Sequence, residues 1–274
     1  MSVCCICESD QYNREYRIYN GYQLCKCNRC SLVYLDGRIN PEEFIADAKE
    51  GLHSENKQTE YWSFPEMYHR YLFVFDNFFK ERLTRCLRYN KNINTMFDIG
   101  AGYGFWMDYC RRQGIEVKGI EISEEAVNYG KEKMYLDIEK TSLEDFNFYS
   151  QYALYNLCDV LEHLKNPNRD LRIIHNAMKP ESLLFVQVPD VLGFKIPINH
   201  NMGLPHHIWQ FNFKTLKILL EKNGFYVLKK WHGIQGVIGC YERNEVNIFL
   251  KSKWLFAKTF NLGNRLMVLC KAVT

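Results

Sequence analysis

No stretch of the 274 residues approaches the roughly 18 consecutive apolar positions that a membrane-spanning helix requires. The opening residues, MSVCCICESD, also lack the basic then apolar design of a secretory leader. These two absences predict a cytoplasmic chain with no membrane partner. Charge of one sign is scarce as well: 35 Lys and Arg against 32 Asp and Glu leave a formal net charge of +3, and the basic residues are scattered rather than striped. Without such a stripe there is no electrostatic footprint for nucleic acid, which is not expected as a partner. What is present is 47% hydrophobic and 15% aromatic residues, enough for a sizeable core. The length favours one domain of roughly 180 to 200 residues plus a smaller module, and it leaves the oligomeric state open.

Eleven cysteines is an odd count, and several sit inside apolar segments such as MVLCKA. In a reducing compartment they read as core thiols plus a metal site. Four of them form two C-x2-C knuckles, Cys4 with Cys7 and Cys27 with Cys30, with nineteen residues between the pairs. That spacing falls in the zinc-ribbon window. The intervening YRIYNGYQLCKC reads as a short hairpin turning at Asn20-Gly21. A module of about 35 residues buries too little apolar surface to offset its chain entropy, so a structural Zn²⁺ with all four positions filled by protein is expected. Cys5 and Cys25 are neighbouring spares.

The segment MFDIGAGYGFW, residues 96–106, is an apolar run that breaks into three glycines spaced two apart. A buried strand, NINTMFDIG, precedes them, and a helix, FWMDYCRRQG, follows and ends at Gly114. Strand, glycine turn and helix open a nucleotide-binding α/β sheet. The dinucleotide fingerprint needs G-x-G-x-x-G, and the third glycine is missing: position 105 is Phe105. Asp98 at the strand end is a poor neighbour for a phosphate and suits an ammonium or sulfonium group. The next strand, IEVKGIEIS, ends near Glu121, twenty-one residues after Gly100, where a carboxylate can accept from both ribose hydroxyls. Ser123 then caps a second helix without a full capping box.

D-x-G-x-G-x-G from Asp98 to Gly104, followed by that acidic residue, resembles the signature of the class I S-adenosylmethionine-dependent methyltransferases. CDVLEHLKNP, residues 158–167, resembles the D-V-L-E-H segment of the ubiquinone-biosynthesis-like and glycan-linked branches of that family. CNRCSLVYLDGRINPEEF is similar to the second knuckle and exit of a zinc-ribbon module that precedes a group of sugar and small-molecule methyltransferases, with Ser31 where Gly is common. The resemblance implies an α/β fold, a Rossmann-like seven-stranded methyltransferase sheet with helices on both faces. A zinc-ribbon module at 1–38 and a helical linker or lid at 39–92 would precede the methyltransferase domain at 93–274. S-adenosylmethionine would be held by Asp98, Gly100, Ala101, Gly102, Tyr103, Gly104, Glu121, Ile122, Leu143, Asp159 and Val160, and His163 would face the acceptor.

The remaining elements follow the same alternation: a strand from about Tyr152 to Leu157, a helix from Arg169 to Met178, the strand SLLFVQVPD, the helix FKTLKILLEKNGF and the strands YVLKKW and NRLMVLCKA. The last two are expected as an antiparallel hairpin with no helix between them, residues 233–263 being an insertion of unassigned role. The linker segment YWSFPEMYHRYLFVFDNFFKERLTRCLRY carries its aromatics at helical spacing, a pattern of core rather than ligand contact. Tyr61, Tyr68 and His69 are its ligand candidates. GLPHHIWQFN, residues 203–212, is read as a loop beside the acceptor.

Methyl transfer from a sulfonium needs alignment and, for a hydroxyl, removal of a proton, for which histidine is suited. His163, held by Glu162, is the first candidate base, with His206 and His207 after it. There is no N-P-P-Y or D-P-P-Y and no Pro-Cys pair, so amide, exocyclic nitrogen and cytosine carbon acceptors are disfavoured. A small or sugar acceptor, nucleotide-linked or of the capsule type used in polysaccharide biosynthesis, is expected, with O-methylation ahead of C- or N-methylation. An NAD-type oxidoreductase and a non-catalytic cofactor-binding subunit are the other classes.

Overall fold

β1 (Tyr12–Tyr19) and β2 (Tyr22–Cys27) form the expected hairpin, with Tyr19 opposite Tyr22 and Gly21 in the left-handed region at φ +83°. β3 (Val33–Leu35) adds antiparallel to β2, and Leu24, Val33 and Leu35 pack inward. The computed structural model describes residues 3–19, 21–37, 65–195, 202–233 and 248–273. The first part of the expected linker, including Tyr61, lies outside them.

The rest of the linker is α1 (Pro65–Arg70) and α2 (Leu72–Leu87). The aromatic stripe is core, as its spacing predicts: Val74, Phe75, Phe79, Arg82, Leu83 and Cys86 form the buried face of α2. Tyr68 is core too, its ring stacked 4.2 Å from Phe105 and its hydroxyl donating to Asp108 at 2.8 Å. His69 pairs with the Tyr129 hydroxyl at 2.6 Å.

Strand and helix then alternate through β4 (Thr95–Ile99), α3 (Phe105–Arg112), β5 (Glu116–Glu121), α4 (Glu124–Met134), β6 (Ile138–Lys140), β7 (Leu154–Cys158), α5 (Pro167–Ala177) and β8 (Leu183–Pro189). β9 (Trp209–Gln210), α6 (Phe213–Lys222), β10 (Phe225–Gly233), α7 (Ile248–Thr259) and β11 (Arg265–Ala272) complete the chain. The main sheet has seven strands in the order β10, β11, β8, β7, β4, β5, β6. β4 is parallel to both β5 and β7, β6 and β8 extend the parallel set, and β11 is antiparallel to β8 and β10. Every residue of β8 is buried, as a central strand covered on both faces demands. One apolar cluster joins that sheet to α5, α6 and the cysteine module; a second joins its other face to α2, α3 and α4.

The structure corrects two expectations. A helix, α7, does lie between the last two strands, inside the 233–263 insertion. The segment after Pro205 is also not wholly a loop: Trp209 and Gln210 pair with Tyr34 and Val33, so the cysteine module's sheet has four strands, ending in one from the catalytic region. Among the described residues no helix is long and apolar enough to cross a membrane.

Candidate functional site

The chain order reverses at β4, whose neighbours β5 and β7 are reached by crossovers in opposite directions, and ligands of such sheets bind at the strand ends there. The glycine loop leaves β4 at that point. Gly100, Gly102 and Gly104 all adopt positive φ, +71°, +54° and +85°. A Cβ on Gly100 would stand 2.3 Å from Val160 Cγ2, and one on Gly104 would stand 2.4 Å from Leu136 Cδ1. These two glycines therefore serve close approach as well as turning. Glu121, at the end of β5, accepts from the Gly102 amide at 2.9 Å and from the amides of Ile122 and Ser123 at 2.7 and 2.9 Å. Ser123 caps α4 through the Ala126 amide at 3.3 Å. Beside this carboxylate Ile122 leaves an apolar face 47% exposed, while Tyr103 is buried and donates to Glu125 at 2.7 Å. Ala101 is half-buried within the loop, and Leu143 lies in the apolar cluster on the α5 face of the sheet.

Asp98 lies beneath the loop, 2% exposed, and accepts a bond from Asn156 at 2.5 Å. Loss of hydration pushes its carboxyl up to about 7, against the opposing pull of that bond and of Arg82. Arg82 is itself buried, its guanidinium 5.0–5.7 Å from the ring centres of Phe78, Phe79, Trp106 and Phe185. It donates to Gln187 at 3.3 Å, and Gln187 donates to Asp159 at 2.5 Å. Arg265 Nε lies 3.2 Å from the other Asp159 oxygen. Asp159 thus sits clamped between β8 and β11, its backbone in the left-handed region at φ +55°. Sequence reasoning missed Asn156, Arg82, Gln187 and Arg265. Two left a signal: a cation on the apolar stripe of α2 and an amide inside the apolar run LLFVQVP.

After Asp159 and Val160 the chain makes one 3₁₀ turn, Leu161–His163. His163 Nδ1 donates to the His206 carbonyl at 2.9 Å. This corrects the expectation that Glu162 holds the ring: Glu162 Oε1 is 4.0 Å from Nε2, on the opposite side of the imidazole. The rings of His163 and His207 meet edge to face at 4.7 Å, and one ligand atom each from Glu162, His163 and His207 lie within 4.8 Å of one another. Neither Glu162 carboxylate oxygen has a hydrogen-bond partner among the described residues. Burial, reinforced by the charge of Asp159, drives its pKa well up, while burial lowers His163 to about 4 and His207 to about 2. The loop is pinned to this turn by Ile208 N–H on the Glu162 carbonyl at 2.9 Å and by Trp209 Nε1 on the Leu164 carbonyl at 2.8 Å.

In the cysteine module the sulfurs of Cys4, Cys7, Cys27 and Cys30 lie within 4.8 Å of one another, those of Cys4 and Cys30 at 3.5 Å. Both knuckles close alike: the residue after the second cysteine, Glu8 or Ser31, has positive φ and donates its amide to the carbonyl of the first cysteine. That explains why glycine is favoured at position 31 and shows that Ser31 makes the turn regardless. Four converging sulfurs suit tetrahedral Zn²⁺. Cys5 and Cys25 are buried outside the group.

The model of a methyltransferase domain family matches residues 68–230. The chain belongs to that family. Its fold is that of the class I S-adenosylmethionine-dependent methyltransferases: a solved structure of this kind from Clostridium acetobutylicum ATCC 824 aligns with a TM-score of 0.51 at 10% identity, over 86% of this chain and 100% of that one. Another from Archaeoglobus fulgidus gives 0.51 at 20% identity over 73% and 99%. Among curated proteins, the ubiquinone biosynthesis O-methyltransferase of Azoarcus sp. (strain BH72) is 27% identical over 97 residues, 33% of this chain and 42% of that relative's length.

Proposed function

We propose that the protein transfers a methyl group from S-adenosylmethionine to a hydroxyl of a small or sugar-like acceptor, nucleotide-linked or of capsule type, with His163 as general base. The observation that carries this reading is the fixing of His163 at the end of β7. Its Nδ1 proton is committed to the His206 carbonyl, so Nε2 is the ring's proton acceptor, and burial keeps the ring neutral at pH 7. Burial drives the Glu162 carboxyl well above the usual carboxylate range, and neither of its oxygens hydrogen-bonds the ring.

When bound, the cofactor supplies an activated methyl; the chain has to position it, align the acceptor oxygen and take a proton. The glycine-loop amides with Ala101 and Tyr103, the ribose-directed Glu121, the open face of Ile122, Leu143, and Asp98, Asp159 and Val160 beneath the sulfonium end would hold it. The same reading gives Cys4, Cys7, Cys27 and Cys30 a structural Zn²⁺.

A tritiated-methyl screen over nucleotide-linked sugars and small hydroxylated metabolites tests this. His163→Ala should lower turnover by about a hundredfold while calorimetric affinity for S-adenosylhomocysteine stays nearly unchanged. Undiminished turnover moves the base role to His206 or His207. Uptake of NAD and none of S-adenosylhomocysteine sinks the reading.

A further inference from the structure

A cavity lies away from the glycine loop. It has a volume of about 530 Å³ and lies between the first cysteine knuckle and α5, with Trp209 in its lining. That volume is in the range of small-molecule sites, roughly 300–1,000 Å³. Its α5 wall repeats at helical spacing, Arg169, Arg172 and Asn176, with Lys165 just before the helix.

The charges are not balanced within the walls. Arg169 is engaged by Asp170 and Glu144, and the acid on the opposite wall, Glu8, is taken by Lys222 at 2.7 Å. Lys165 Nζ and the terminal nitrogens of Arg172 have no acceptor among the described residues; Arg172 spends only Nε, on Asn223 at 3.3 Å. Arg172 also feels the Glu8 charge, but its terminal nitrogens and Lys165 Nζ keep open donors in one concavity, and such a guanidinium fork suits phosphate oxygens. The walls are fixed in place by Asn168, which donates to the Cys5 carbonyl at 2.5 Å and accepts from Asn223 at 2.8 Å. An immobile frame lowers the entropy cost of binding.

Two lining residues, Lys165 and Trp209, tie the cavity to the turn that carries His163. Lys165 is two residues from His163, so their Cα atoms are at most about 7 Å apart. Trp209, which lines the cavity, donates to the carbonyl of Leu164 next to His163. We propose that this cavity seats the phosphate or diphosphate group of the acceptor, whose hydroxyl end reaches His163. The inference rests on the methyl-transfer reading and narrows its acceptor to a phosphate-bearing one. It also gives the cysteine module a task, as one wall of the acceptor site.

The test is calorimetry on the full-length, zinc-loaded chain with inorganic pyrophosphate as the probe. Expected is one-to-one uptake that weakens as salt is raised, and that falls about tenfold or more in Lys165→Ala/Arg172→Ala. Lys165→Ala alone, at an exposed position, should move affinity in the same direction. Lys131→Ala/Lys133→Ala on α4 should leave it unchanged, and S-adenosylhomocysteine should bind all four proteins alike. Absence of uptake, or uptake equal in the Lys165/Arg172 variant, overturns the cavity assignment while methyl transfer can still stand. Uptake lost in that variant, where pyrophosphate also competes with a methylated acceptor, supports the acceptor role; uptake without such competition overturns that role and marks a free-anion site.

Discussion

Asp98 shows how far one residue's chemistry departs from its place in a motif. Its carboxyl titrates near 4 in an unfolded chain and near 7 when folded, because burial removes its hydration. A raised folded pKa contributes stability that is fully present below about pH 4 and is lost as pH rises through 7. His163 and His207, with folded pKa values lowered, act oppositely, losing stability as pH falls below about 6.5. Comparison with Asp98→Asn isolates the first effect. The melting temperature of the ligand-free wild type should fall relative to the variant between pH 5 and 7; parallel curves would show that Asp98 is not perturbed. Gly100 gives a second prediction at this scale. Gly100→Ala puts a Cβ 2.3 Å from Val160 Cγ2 at φ +71°, which adds a left-handed penalty of roughly 1–2 kcal/mol to a clash. Calorimetry should show S-adenosylhomocysteine binding weakened at least tenfold, with Gly100→Ala/Val160→Ala recovering part of the loss. No recovery would mean that backbone strain, not Val160, decides.

At the scale of elements, β4, β7 and β8 were legible because each is a largely apolar run closed by a turn signal or a polar residue, β5 because it lies between the helix stop at Gly114 and the cap Ser123, and α3 to α6 because their apolar positions recur at helical spacing. β9 was not legible. Two residues carry no period, and their partners Val33 and Tyr34 lie some 175 positions earlier, so only tertiary pairing makes Trp209 and Gln210 a strand. α7 was missed for a different reason: the insertion's turn residues hid its apolar content. The His163 site was half legible. The residue types and the two segments were visible, but not the reach of the His206 carbonyl across forty-three positions to fix the ring. Trp209 joins these parts: it meets the Tyr34 ring at 5.6 Å and donates to Leu164. Trp209→Ala should therefore cost about 3–5 kcal/mol in chemical denaturation and lower turnover more than cofactor affinity. A loss under 1 kcal/mol would show that β9 is not a structural joint.

At the scale of the whole molecule the cysteine module and the catalytic sheet are one body, since Cys4, Cys27 and Cys30 share an apolar cluster with β7, β8, α5 and α6. The module's own sheet ends in β9, whose neighbour Ile208 donates to the Glu162 carbonyl. Metal removal should thus be felt at the acceptor side before the cofactor side, because the glycine loop is braced by Glu121 of β5 and lies close to Leu136, in the apolar cluster on the other face of the sheet. Purified protein should hold about one equivalent of zinc. A strong chelator should abolish methyl transfer and raise hydrogen exchange in β1 to β3 and β9, while S-adenosylhomocysteine still binds within a few-fold of its original affinity, because only the stability linked to the metal is withdrawn. Loss of both functions together would mean that the ion supports the whole fold, and a chelator-resistant, zinc-free active protein would remove the metal from the four cysteines altogether.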